Sequence, residues 1–214
     1  PLPPPPVASA SGLHTDCRRD LGIASNWGFA SGRPSIVLPG NGGVRREIFF
    51  PGDSSVAQTP QRLAAALADV PAAAPVVVNP RGFRAYVRND TFFRAIPRVL
   101  ERMPGVIFVC PAMAGEAQAV KWLRRLGTSN SVRLLPPLDA AEMAALFRRA
   151  QVSVSPSPHD GTPTTLLEAM ACGCFPIAGD LESVREWLVR GETGLIIDPA
   201  DDEGLSCAIL RALG

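Results

Sequence analysis

The chain has 214 residues, 46% hydrophobic and 19% charged, with a formal net charge of +1. That length is enough to bury a full core, and the balanced charge speaks against a nucleic-acid partner, an acidic solvating tail or a disordered chain. Five cysteines at irregular spacing (Cys17, Cys110, Cys172, Cys174, Cys207) and two histidines far apart in sequence (His14, His159) point to reduced thiols and to no metal site.

The first residues, "PLPPPPVASASG", have neither a basic nor an apolar leader region. No apolar run approaches the roughly 18 residues that span a bilayer. The expected location is therefore cytoplasmic, with peripheral association at the inner membrane as the alternative. Residues 1–74 are rich in proline and glycine and read as loop, short helix and linker, with one strand, "SIVL", ending in a tight turn. From Pro75 the character changes. Short apolar runs ("PVVVNP", "VIFVCPAM", "SVRLLPPL", "QVSVSPS", "FPIAGD", "GLIIDP") alternate with amphipathic segments ("NDTFFRAIPRVLERMPG", "GEAQAVKWLRRLG", "DAAEMAALFRRA", "TPTTLLEAMACG", "LESVREWLVRG", "DDEGLSCAILRAL"). Six strand signals, each followed by a helix signal, predict βα units and a parallel sheet. Continuous rather than alternating apolar runs predict helices on both faces. Asp139 is the expected cap of its helix, and Gly105, Gly127, Gly173 and Gly191 stand where helices end. The predicted architecture is an α/β, Rossmann-like doubly wound domain of about six strands over residues 75–214, with ligands expected at the loops after the strands.

The loop after the fourth strand of that domain, "SPSPHDGTPTTLLEAMACG", collects the most chemistry. Thr162 is a good N-cap, Pro163 suits the first helical position, and Thr164 and Thr165 then offer unpaired amides at a helix start that favours phosphate. Glu168 follows Thr164 by one turn, roughly 6 Å along the axis, where a carboxylate could accept from two ribose hydroxyls. Asp160 precedes the cap and reaches the other side of the same phosphate. A well-capped core helix with a solvated Glu168 fits the pattern equally well. The loop after the first strand, "NPRGFRAYVRND", carries Arg81, Arg84 and Arg88 around Gly82, a candidate clamp for a diphosphate, or simply an exposed basic loop. The turn after the third strand, Leu135, Pro136 and Leu138, is a candidate nucleobase wall in which prolines leave carbonyls free. Dinucleotide, P-loop and hydrolase-elbow motifs are missing from the sequence.

Residues 153–199, "SVSPSPHDGTPTTLLEAMACGCFPIAGDLESVREWLVRGETGLIIDP", resemble the donor half of retaining glycosyltransferases of family 4, whose GT-B fold joins two facing Rossmann-like domains. Asp160 and Glu168 stand at the family's paired acids, with aspartate where glutamate is usual, and "EAMACGCFPI" and "GETGLIIDP" follow in step, with Thr193 in place of the commoner asparagine. "VLPGNGGVRREIFFPG" (37–52) is similar to the family's interdomain segment. Arg81 matches its diphosphate arginine, and Arg84 or Arg88 would have to replace its lysine, since Lys121 is the only lysine in the chain.

The resemblance implies a UDP- or GDP-type nucleotide-sugar donor, no metal cofactor and transfer of a hexose to an unspecified acceptor (polysaccharide, lipid or small molecule). It implies Asp160 as the catalytic acid, bound to a hydroxyl of the sugar, and Glu168 on the ribose. Gly161, Thr162, Pro163, Thr164 and Thr165 would hold sugar and phosphate. It also implies an amino-terminal domain for which residues 1–36 are too few, so a fragment of a larger enzyme is expected. A non-catalytic module of the same half fold is the alternative reading, and a sugar-nucleotide epimerase a weaker third.

Overall fold

The computed structural model describes residues 6–38, 43–52, 59–84 and 86–214. Its centre is a six-stranded, all-parallel sheet of β3 (Val76–Val78), β4 (Ile107–Cys110), β5 (Val132–Leu134), β6 (Val152–Ser155), β7 (Phe175–Gly179) and β8 (Leu195–Ile197), ordered β5-β4-β3-β6-β7-β8. Each strand sits where an apolar run predicts one. Because side chains alternate along a strand, the central strands feed two cores at once. Val77, Phe108 and Cys110 point into a cluster with α3 (Asn89–Arg102), α4 (Ala117–Leu126) and α8 (Asp202–Leu213). Val76, Val78 and Val109 point into a second cluster with α2 (Gln61–Ala66), α5 (Ala140–Arg149) and α6 (Thr164–Ala171). This is the doubly wound arrangement that the sequence predicts.

Local chemistry explains the helix ends. The Asp139 side chain accepts from the Glu142 amide at 2.9 Å while Glu142 accepts from the Asp139 amide, a reciprocal box that starts α5. Gly127 and Gly173 close α4 and α6 with φ of +69° and +79°. Gly105 differs from the sequence expectation, since it lies beyond the Met103 cap of α3 and is not left-handed. The segment "LESVREWLVRG" also departs from its predicted helix and holds only the short α7 (Glu182–Arg185). The ladder already tightens at Trp187, whose amide donates to the Val184 carbonyl three residues back, and beyond it the Val189 amide donates to Thr193 Oγ1 at 3.0 Å instead of continuing the helix. No described helix is long and apolar enough to cross a membrane.

The amino-terminal part holds more order than its composition suggests. The expected strand is β2 (Ser35–Val37), and it pairs in parallel with β1 (Leu13–Thr15) across α1 (Arg18–Asn26). Three residues of β1 are too few to show a period, which is why the sequence reads there as loop. The glycine-rich turn after Leu38, residues 39–42, lies outside the described residues.

Two features of the large sheet position the loops at its carboxyl edge. The strand order reverses between the paired neighbours β3 and β6, so the loops that leave them run to opposite faces and open a crevice between them. Gly179, at the end of β7, is pressed against the loop leaving β6. A Cβ there would lie 2.3 Å from the Ser157 carbonyl oxygen and 2.9 Å from Pro199 Cγ. Gly179→Ala should cost about 2–3 kcal/mol in urea unfolding, because backbone must move to admit the methyl. Unchanged stability would show that the loop does not need this close approach.

Candidate functional site

Arg81 leaves β3 through a buried asparagine pair that the sequence reading passed over. Asn79 Oδ1 accepts from the Arg81 amide, Asn79 Nδ2 donates to Asn89 Oδ1, and Asn89 Nδ2 donates to the Gly82 carbonyl, each at 3.2 Å. Both asparagines are almost fully buried, so their amides satisfy one another and tie the loop to the start of α3. The signal was present in "NPRGFRAYVRND", where each end of the loop carries an asparagine.

The same loop aims Arg81 across the crevice. Its Nη2 lies 2.6 Å from Asp160 Oδ2, with 10% and 18% of the two side chains exposed. Nη1 donates to Thr165 Oγ1 at 3.3 Å, in the first turn of α6. The 2.6 Å contact is close but poorly aligned. Neither Asp160 Oδ2 nor Arg81 Nε completes a hydrogen bond among the described residues, so the attraction is that of charges rather than of an aimed N–H. Burial pushes the Asp160 carboxyl above its ordinary range, with Arg81, His159 and the Gly161 amide pulling in the opposite direction. Ser183, itself buried, donates to the Asp160 carbonyl at 3.0 Å and holds the loop from the α7 side.

Thr162 is not the cap of α6. Pro163 occupies the N-cap position with an extended backbone and no side-chain bond, and the Thr162 hydroxyl instead donates to the Asp16 carbonyl at 2.6 Å. The amino-terminal unit therefore clasps this loop. A Cβ on Gly161 would sit 3.3 Å from Asp16 Oδ2, and the Arg18 amide donates to Glu186 Oε1 at 2.9 Å. With no side chain capping α6, the amides of Thr164 and Thr165 meet no acceptor among the described residues. Glu168, one turn further on, is half-buried. Desolvation raises its carboxyl above the ordinary range, with Arg45 offsetting part of the effect.

The remaining candidates are placed elsewhere. Arg88 grips Asp90 with two bonds of 2.9 and 3.0 Å, and this bidentate pair holds Asp90 at about 2. Exposed Arg84 donates to the Tyr86 hydroxyl at 2.9 Å. Among the three arginines, only Arg81 meets the Asp160 loop. Leu135 is core, and its carbonyl accepts from the Met113 and Ala114 amides at 3.0 Å. The Pro136 carbonyl accepts from the Ala112 amide at 3.3 Å, so these carbonyls are occupied rather than free, while the ring of Pro136 stays exposed and Leu138 packs on the second core. A cavity of about 780 Å³ lies away from Arg81 and Asp160, between the 44–51 segment and Ala171 at the far end of α6.

The burial of Glu168 has a signature in stability. Its folded pKa lies above the unfolded one, so the folded state carries the cost of the buried charge at neutral pH. That cost lessens as pH falls below the folded pKa and is gone below the ordinary carboxylate range. Glu168→Gln should raise Tm at pH 7.5 by about 1–2 °C, after discounting for its partial exposure, and the gain should vanish near pH 4 in thermal scans. A Tm that falls at pH 7.5 would mean that Glu168 is a structural carboxylate.

With this geometry in view, the likeness to known proteins is informative. The chain is 27% identical over 195 residues to D-inositol 3-phosphate glycosyltransferase of Streptosporangium roseum, covering 86% of this chain and 42% of that protein. It superimposes on sucrose-phosphate synthase of Thermosynechococcus elongatus with a TM-score of 0.77 at 20% identity, covering 97% of this chain and 50% of that one. It superimposes on Anabaena HepE, solved in complex with UDP-glucose, with a TM-score of 0.75 at 18% identity, covering 95% and 54%. The chain thus spans about half the length of these relatives or less. The family described as "Glycosyl transferases group 1" matches residues 74–214, the whole six-stranded sheet with its crevice, and the chain belongs to that family.

Proposed function

We propose that the crevice between the β3 and β6 loops binds the diphosphate of a nucleotide-sugar donor, and that the chain is the donor-binding part of a retaining hexosyltransferase. The observation that carries this reading is the convergence of Arg81, Asp160 and Thr165 at the start of α6, with half-buried Glu168 one turn beyond. As the bond from the sugar's anomeric carbon to the phosphate oxygen breaks, positive charge gathers on the sugar and negative charge on the departing diphosphate. Arg81 and the amides of Thr164 and Thr165 are fixed donors where that negative charge develops, and fixed donors need no reorganisation as it appears. Glu168 is assigned to the ribose hydroxyls. Its raised pKa fits a carboxylate stripped of water and awaiting donors of its own. Asp160 is assigned to a hydroxyl of the transferred sugar.

The UDP-glucose in the HepE structure supports a UDP-type donor, with GDP-type as the alternative base. In the family resemblance an upstream domain carries the acceptor, and the contacts from Asp16, Arg18 and α1 to the Asp160 loop and α7 support a wall of that kind. A nucleotide-sugar donor fits the expected cytoplasmic location, with peripheral association at the inner membrane as the alternative. A non-catalytic binding module is the second reading. What favours it is that Arg84 and Arg88 are engaged elsewhere, which leaves Arg81 alone to meet a diphosphate carrying more than one charge.

Calorimetry with UDP and GDP tests the donor site. One of the two should bind, Glu168→Ala and Arg81→Ala should each weaken it roughly 10- to 100-fold, and a control such as Arg84→Ala should leave it unchanged. Equal binding by all variants would contradict the assignment. Donor hydrolysis or sugar transfer by the protein, abolished in Asp160→Asn, would decide between the enzyme and the module.

A further inference from the structure

We propose that Asp160 is an internal stand-in for the donor's diphosphate: in the unliganded protein its carboxylate occupies Arg81, and an incoming diphosphate must displace it, which frees Asp160 to turn to the sugar. The proposal rests on the donor reading of the crevice and adds a control built into it.

Three observations point the same way. Arg81 is nine-tenths buried, so its guanidinium has little water to fall back on and needs an anion. The anion it has is held at 2.6 Å without an aligned hydrogen bond, and Arg81 Nε meets no partner among the described residues. A bidentate arginine–carboxylate pair meets both carboxylate oxygens with aligned N–H groups, as Arg88 and Asp90 do in this same chain. The contrast between the two pairs is the clue, since one is complete and the other leaves donor and acceptor capacity unused. Asp160 is also tethered by its backbone, while its side chain meets the Arg81 guanidinium and the Gly161 amide that follows it. Its carbonyl accepts from Ser183, and the following Thr162 is fixed to Asp16, so the carboxylate can swing while the loop stays in place. On the cation's side, Thr165 Oγ1 accepts from Arg81 at 3.3 Å, and no side chain caps the α6 helix start to which Thr165 belongs.

A competing internal anion lowers the apparent affinity for an external one in proportion to the fraction of molecules in which the internal contact is closed. A contact closed in about nine molecules of ten weakens diphosphate binding about tenfold. Breaking the contact by binding then exposes a carboxylate beside the sugar position only when a diphosphate is present, so the two halves of donor recognition are coupled.

Inorganic pyrophosphate is the probe, because it needs neither base nor sugar. Its affinity is measured by calorimetry on the wild type, Asp160→Asn, Arg81→Ala and the double variant. Asp160→Asn, isosteric and uncharged, should bind pyrophosphate about tenfold more tightly than the wild type, and the double variant no more tightly than Arg81→Ala alone. The same substitution should bring a smaller gain with UDP-glucose, which loses a hydroxyl partner. Equal or weaker pyrophosphate binding by Asp160→Asn overturns the proposal, as does a gain that persists without Arg81, and as does pyrophosphate that binds neither protein. The donor reading is judged separately by whether UDP or GDP binding depends on Glu168.

Discussion

The structure depends on one constraint, the reversal of strand order between β3 and β6. Both strands are parallel and buried on both faces, so the helices that follow them must cross to opposite sides: α3 joins the core with α4 and α8, and α6 the core with α2 and α5. Their loops part at the sheet edge and leave a gap that neither core can fill. Arg81 enters that gap from one side and Asp160 from the other, and the start of α6 forms its floor. The site follows from topology before any side chain is considered. The side chains then determine what it binds.

Those side chains are placed against their own solvation. Asp160 and Glu168 are both driven above the ordinary carboxylate range by burial, and Arg81 Nε is buried with no partner among the described residues. A chain optimised for stability alone would not keep three such groups around one crevice. The rest of the molecule makes them tolerable. Two interdigitated cores flank the sheet, the buried Asn79–Asn89 pair fixes the arginine loop, and Ser183 and Asp16 fix the acidic loop from outside the sheet. The other ion pairs serve a different purpose. Asp202 with Arg94 and Arg98 joins α8 to α3, and Glu142 with Arg62 joins α5 to α2.

Much of this was legible in the sequence because the relevant signals are local. Six apolar runs are strands, the Asp139 box starts its helix, and the D-x7-E spacing carries the family resemblance. What was not legible depends on distant partners. Thr162 has the right residue type and position for a cap, yet its hydroxyl reaches Asp16, 146 residues away. Arg88 is spaced like a phosphate ligand, but Asp90 lies two residues on and takes it. The carbonyls of Leu135 and Pro136 looked free because prolines follow them, whereas the amides of Ala112–Ala114 arrive from the neighbouring strand's loop. The β1 strand is too short to show a period and exists because β2 pairs with it.

The central claim is that the diphosphate of a nucleotide sugar sits where the β3 and β6 loops part. The most direct measurement is amide chemical-shift mapping by NMR as UDP-glucose is titrated into the protein. The account predicts that the largest changes fall on Arg81, Gly82, Gly161, Thr164, Thr165 and Glu168, with Asn79 and Ser183 following. Changes concentrated instead on the cavity between Val44, Phe50 and Ala171, with the crevice amides unmoved, would contradict it.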